Sequence, residues 1–426
     1  MISVQNHQQL LNGNNMSLKS MSVLLRNCFF VILISLCLVS NFLKAQSVAA
    51  YPNNSHGEPS AAIEIPKKDK HFKVGLFMPF FKEGTDTTPV MHAFALSSLD
   101  YLAGVKAAID SIEKTGNVKI DFFVEDTELD SSIVESLLYK EEYRDLDVLI
   151  GPVFQSGVEM ATPIIQKRNT IMYLPFEKDY NAEKLSNIIS SQKNMTAYAA
   201  YFSSYFERQF ANQNKQYIFL YNSKEGKFGR EARAMDSIIK LDLNANIDTS
   251  KMMIFDLGKK ENGPLTSKLV KGNQYVFFVN CKNSYFVNEA LSQIKTIVSS
   301  APEVFCYFEV LESEVPAYEI WDTLKVKFFS RFFVNFEDGP TGTLRKKIIE
   351  SYNQDPVEFT YKGYNDILFL SQAFADGKDW LNNCLNKDYV NEVAGFYYHQ
   401  DPSNGGIFNG YHAVWRYEKL KLYRQY

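Results

Sequence analysis

The chain has little to offer covalent or metal chemistry. It holds five cysteines in 426 residues. Two of them, Cys28 and Cys37, lie in an N-terminal apolar run. The other three, Cys281, Cys306 and Cys384, are odd in number and widely spaced, which is not the pattern of a disulfide framework. Cys281 and Cys306 each stand in an apolar, strand-like run, where a thiol behaves as a small hydrophobe. The six histidines are His7, His56, His71, His92, His399 and His412, and no two are spaced as metal ligands on one helix or turn. There is no HExxH, GxSxG, GxGxxG or GxxxxGK[ST] pattern. There is also no surplus of positive charge, with 45 Lys and Arg against 49 Asp and Glu. A nucleic-acid partner wants a basic face, and this balance argues against one. These absences predict a protein with no cofactor, no metal and no enzymatic activity.

What is present begins with an export signal. Residues Cys28 to Val39 (CFFVILISLCLV) form an apolar run of 12, preceded by Lys19 and Arg26 and followed by Ala45, Ala49 and Ala50. A membrane-spanning helix needs roughly 18 or more apolar residues, so the run is too short to span. A cationic start, a short apolar core and small residues at the exit describe a secretory signal peptide within residues 1–50. Met16 and Met21 are alternative starts, and Ala45 and Ala50 alternative cleavage points. Asn27 and Leu36 stand where lipidation of Cys28 or Cys37 wants a small residue, which argues against a lipid anchor. Residues 1–50 carry three basic residues and no acidic one, so the remainder bears a formal charge of −7. Residues 51–71, rich in Pro, Asn, Ser and charge, read as a disordered linker. The expected location is the periplasm or cell envelope.

From residue 72 strand and helix patterns alternate. Phe72 to Phe80 (FKVGLFMPF) reads as a strand and Phe94 to Lys114 as an amphipathic helix. Val118 to Glu125, Leu146 to Ile150 and Thr170 to Leu174 are further strands, with helices between them. After Met195 the cycle restarts with a helix, the strand Gln216 to Tyr221 (QYIFLY) and the strand Gln274 to Asn280 (QYVFFVN). Strands joined by single helices need right-handed crossovers, so each cycle predicts a parallel sheet covered on both faces. Glu303 to Phe308 and Lys325 to Asn335 read as strands, Tyr361 to Asp376 as a helix, and Ala394 to Lys421 as a hairpin turning at Gly405-Gly406.

Four passages carry a resemblance to a known family. They are KVGLFMPF with the helix containing Gly104 to Asp110; the strand ending Glu125-Asp126-Thr127; DVLIGPVFQSGVEMATPIIQKRN from Asp147 to Asn169; and the helix GYNDILFLSQAF followed by GFYYHQDPSNGGIFNGYHAVWRYEKLKL. In this order and spacing the chain resembles extracytoplasmic solute-binding proteins of the branched-chain amino-acid type. The passage at Gly151-Pro152-Val153 is also similar to lipoproteins of the same fold that activate penicillin-binding proteins by protein contact. The resemblance implies the type I periplasmic-binding fold: two doubly wound α/β lobes with parallel sheets, joined by three crossover segments. It places the first lobe at 72–194 and 327–384, the second at 195–326 and 385–426, and a cleft between them that closes by hinge motion.

In parallel sheets a ligand sits beyond the carboxyl ends of the strands, where helix N-termini present free N–H groups. The residues at such positions are Asp126, Phe154, Gln155, Ser156, Phe176 and Glu177 in the first lobe, and Asn222, Phe228 and Asn280 in the second. Gln155 and Ser156 follow the Gly151-Pro152 break and suit a carboxylate. Ser156 equally suits a helix cap, and Asp126 suits capping of the next helix. The loop LPFEKDYN replaces the small hydroxyl residues that the family uses on an amino acid, and NCKNSYF lacks an acid to hold an ammonium, so an amino-acid ligand does not carry over. Two functions remain: capture of a small molecule, as a transporter receptor working with a membrane permease or as a sensor, or contact with an envelope protein partner. A pocket lined by Asp126, Gln155, Ser156 and Glu177, open to solvent and without bulky plugs, favours the first, and a cleft filled by Phe80, Phe81, Phe154 and Phe176 favours the second.

Overall fold

A computed structural model of the chain describes residues 70–81, 89–114, 118–168, 170–176, 187–191, 194–210, 213–243, 248–297, 302–312, 315–331, 334, 339–375, 385–390, 395–402 and 405–425. The expected signal peptide at 1–50, nearly all of the expected linker at 51–71, and Glu177 and Cys384 lie outside the described residues.

The first alternation gives β1 (Lys70–Met78), α1 (Pro89–Glu113), β2 (Val118–Asp126), α2 (Ser131–Leu138), β3 (Val148–Ile150), α3 (Gln155–Arg168), β4 (Ile171–Leu174) and β5 (Ile188–Ser190). The second gives α4 (Met195–Phe210), β6 (Gln216–Tyr221), α5 (Lys227–Asp242), β7 (Met252–Asp256), β8 (Tyr275–Asn280), α6 (Ser284–Ile297), β9 (Glu303–Tyr307), α7 (Tyr318–Leu324) and β10 (Lys327–Ser330). Helices α8 (Gly339–Tyr352) and α9 (Glu358–Ala375) follow, then β11 (Asp388–Val390), β12 (Gly395–Gln400), β13 (Ile407–Asn409), β14 (Ala413–Glu418) and β15 (Lys421–Gln425). Strands such as β3 and β8 are buried along their whole length, because helices cover both faces of their sheets. Local chemistry sets the ends: Asp130 Oδ1 accepts from Ser132 N at 2.7 Å and caps α2.

The strands form two sheets. The first runs β11-β12-β13-β5-β4-β3-β1-β2, and the second β15-β14-β10-β9-β8-β6-β7. Their parallel cores are wound alike: β2-β1-β3-β4-β5 in one and β7-β6-β8-β9-β10 in the other. The chain therefore passes between sheets three times, after β5, after β10 and after β13.

Two segments sit in a different lobe from the sequence expectation. The strand at 327–330 pairs with β9 and β14, so it finishes the second sheet rather than opening the returning segment 327–384. Strands β11 to β13 pair in the first sheet rather than with the second lobe at 385–426. Packing explains both. Phe329 of β10 lies 4.5 Å from the Phe202 ring of α4 and stacks on Phe305 of β9 at 5.2 Å. Phe396 of β12 stacks on Phe369 of α9 at 4.8 Å. Aromatic pairs at these spacings contribute beyond the area they bury.

Cys281 and Cys306 are both free and buried, and burial raises both thiols above their ordinary range. Among the described residues, no helix is long and apolar enough to cross a membrane.

Helices α1 and α9 meet backbone to backbone. A Cβ on Gly104 would lie 1.9 Å from the Thr360 carbonyl oxygen, and one on Gly363 would lie 2.2 Å from that of Tyr101. Neither neighbour is a flexible side-chain end, so an added methyl must push the helices apart. Gly104→Ala should cost about 1–3 kcal/mol, read as a lower urea midpoint at unchanged slope. An unaltered midpoint would mean that the helices do not pack at this distance.

Candidate functional site

The carboxyl ends of β3, β4 and β5 release Val153, Pro175-Phe176 and Ser191 into one cavity of about 420 Å³. Those of β8, β9 and β10 release Asn280 and Lys282, Tyr307 and Glu309, and Ser330-Arg331 into a second cavity of about 420 Å³. Arg331 and Glu358 line both, so the two cavities adjoin. Arg331 follows β10, at the second passage between sheets, and Glu358 opens α9.

The first cavity has an aromatic wall over a buried polar floor. Phe176 packs edge-on against Tyr101 at 5.8 Å and Phe359 at 5.2 Å. Beneath them Asp366 is fully buried, accepts from Tyr101 Oη at 2.9 Å and pairs with Lys362 Nζ at 3.3 Å. Burial pushes the Asp366 carboxyl up, and Lys362 is the largest influence drawing it back. Lys362 Nζ also donates to Ser191 Oγ at 3.3 Å, while Arg331 Nη2 donates to the Ser191 carbonyl at 2.8 Å. The first passage between sheets is thus held by cations from the second passage and from α9.

The second cavity is walled by Tyr198, Phe228, Tyr307 and Phe329, with Asn280 among its lining residues. Phe228 lies edge-on to Tyr307 at 6.1 Å, and Lys282 Nζ sits 5.0 Å over its ring. The loop after β8 is pinned by Glu225, which accepts from Lys282 N at 3.2 Å and Asn283 N at 2.6 Å.

Three of the nine residues expected from the sequence, Phe176, Phe228 and Asn280, line these cavities. Five line neither. Asp126 Oδ1 accepts from Phe80 N at 2.9 Å and Glu128 N at 3.0 Å, so it shapes its own turn. Phe154 is buried in the core with Phe77 and Val158, its ring lying where a Cβ on Gly157 would stand. Gln155 bonds Glu159 on its own helix, and Ser156 is exposed in the first turn of α3. Asn222 is buried and caps a one-turn helix through Lys224 N at 3.0 Å. Glu177 lies outside the described residues. Sequence reasoning missed Arg331, Glu358, Lys362 and Asp366. The available signal was Asp366 itself, a carboxylate between the apolar residues of α9.

Two sheets of identical parallel winding, crossed three times and opening on shared cavities, define the type I periplasmic-binding fold. Solved structures agree. A putative branched-chain amino acid ABC transporter protein from Rhodospirillum rubrum matches 83% of this chain and 99% of its own at 10% identity, with a TM-score of 0.51. Full-length LpoA from Haemophilus influenzae matches 84% of this chain and 60% of its own at 9% identity, with a TM-score of 0.52. The C-domain of LpoA, described as a regulator of PBP1A, matches 83% of this chain and 100% of its own at 10% identity, with a TM-score of 0.50. No protein-family model matches the sequence, and no curated protein does. At such identities the likeness is one of fold.

Beneath Asn280, Asp236 is fully buried, and its Oδ1 accepts from Asn280 Nδ2 at 3.0 Å. Burial pushes this carboxyl well above its ordinary 3.8, with the Asn280 amide pulling it down. A carboxyl that holds its proton more tightly folded than unfolded stabilises the protein below the unfolded value and loses that contribution as pH rises through the folded value. Asp236→Asn should therefore flatten the fall in stability above about pH 4 and leave the variant at least as stable as the parent at pH 7. Urea midpoints between pH 4 and 8 measure this, and parallel profiles for the two proteins would contradict it.

Proposed function

We propose that the chain is an exported, non-enzymatic solute-binding protein that captures a small molecule between its lobes. The observation that carries this reading is the pair of adjoining cavities at the carboxyl ends of both parallel sheets, sharing Arg331 and Glu358. Pockets of a few hundred cubic ångströms with aromatic walls and a few convergent polar groups are the usual form of small-molecule sites. The shared side chains sit where the chain passes between sheets, so a ligand touching them acts on the hinge. Phe154 is turned into the core and Phe176 into the wall of the first cavity, which supports an open cleft, although Asp126, Gln155 and Ser156, expected around an open pocket, line neither cavity. The expected partners are a small-molecule ligand and a membrane permease that receives it. Contact with an envelope protein is the alternative, and its support is the fold shared with LpoA.

Thermal-shift screening of the purified chain with amino acids, sugars, nucleosides and short peptides should raise the melting temperature for one class. A ligand at a hundred times its Kd adds about 2.7 kcal/mol. For that ligand, Phe228→Ala should weaken binding by about 1.5–3 kcal/mol, whereas the double change Gln155→Ala, Ser156→Ala should leave affinity intact. Silence across the panel, with a stable complex recovered from envelope extract, would sink the solute reading in favour of protein contact.

A further inference from the structure

The second cavity holds a donor and an acceptor that the protein itself leaves poorly matched. Asn280 has no exposed surface, and its Nδ2 donates to both the Ala232 carbonyl at 3.1 Å and Asp236 Oδ1 at 3.0 Å. The Ala232 carbonyl, which can only accept, fixes which end of the amide is nitrogen. Its Oδ1 then has no partner among the described residues. A buried, unmatched acceptor is costly, and this one belongs to a residue that lines the second cavity. Next to it stands Tyr307. Val279 pairs with Cys306 in the parallel register of β8 and β9, so the following residues, Asn280 and Tyr307, lie side by side. Both turn toward α5, Asn280 to Ala232 and Asp236, and Tyr307 to Met235, whose sulfur its hydroxyl reaches at 3.7 Å. A thioether is a weak acceptor. The hydroxyl is therefore available to a better one.

The charges around the cavity select further. Its three cations, Lys227, Lys282 and Arg331, face three carboxylates, Glu231, Glu309 and Glu358. Lys282 pairs with Glu309 at 3.0 Å and Lys227 with Glu231 at 3.5 Å, while Arg331 donates to the Ser191 carbonyl and lies 5.0 Å over the Tyr198 ring. A site with its charges balanced in this way gains little from a charged ligand, which would lose its hydration shell on entry.

Resting on the solute-binding reading, we infer that the second cavity takes an uncharged ring compound whose adjacent donor and acceptor bridge Asn280 Oδ1 and the Tyr307 hydroxyl. The lactam edge of a nucleobase and the vicinal hydroxyls of a sugar share this chemistry. The aromatic wall of Phe228 and Tyr307 takes the ring.

Calorimetric titration of the full chain with uridine, inosine, ribose and glucose tests this beside leucine, lysine and glutamate. A neutral compound should bind, the nucleoside and sugar arms identifying its source. Tyr307→Phe, which removes only the oxygen, should weaken it about tenfold without lowering the melting temperature. Binding of charged amino acids alone would overturn the inference and leave the solute-binding reading standing. So would a neutral ligand held equally well by Tyr307→Phe. No binding by any compound would overturn both.

Discussion

A parallel strand reaches its neighbour only through a crossover, and that constraint organises the molecule. Every crossover leaves its sheet at the carboxyl edge, so each lobe gathers its irregular, polar segments along one side. Both parallel cores follow the same winding, and the segments that leave β3 to β5 and β8 to β10 wall the two adjoining cavities. Nothing about ligand chemistry is needed to produce such a cleft. The cleft is a by-product of sheet topology, and side chains then line it.

The two cavities are distinguished by how their polar groups are held. The first cavity rests on a network in which Asp366, Lys362, Tyr101 and Ser191 satisfy one another. Removing any one leaves a buried polar group exposed to apolar surroundings, which costs more than the bond itself contributed. In the second cavity the Asn280 Oδ1 atom has no partner among the described residues and the Tyr307 hydroxyl reaches only a thioether. Arg331 belongs to both, since it fixes the Ser191 carbonyl while lining each cavity.

Much of the fold was legible in the sequence. Fully apolar strands such as QYVFFVN and the regular helix spacing between them specify parallel sheets without reference to distant contacts. The lobe assignment of Lys327–Ser330 and of β11 to β13 was not legible, because both are decided by ring packing against Phe202 and Phe369, far away in sequence. Helix α8 and the short strand β5 also escaped, the one for its weak amphipathic pattern and the other for having three residues. At the site, position after a strand suggested Phe176, Phe228 and Asn280, which line the cavities, but equally Phe154 and Asn222, which do not. A residue leaving a strand can turn to the cleft, to the core or to its own turn, and only the neighbours decide. Residues contributed by α9 have no such positional mark.

The contact of α1 with α9 also bears on how the molecule comes into being. Tyr101 and Asp366, joined by one hydrogen bond, are 265 residues apart, and β13 joins the sheet beside β5 from more than 200 residues downstream. While the chain is still being synthesised, the first lobe lacks the helix that covers α1 and the strands that close its sheet. Its apolar surface and the open edge of β5 stay uncovered until the second lobe has been made. Long sequence separations of this kind slow folding and prolong exposure of unpaired edges. The interleaving of the two sheets therefore also makes the N-terminal half dependent on the C-terminal one during biogenesis.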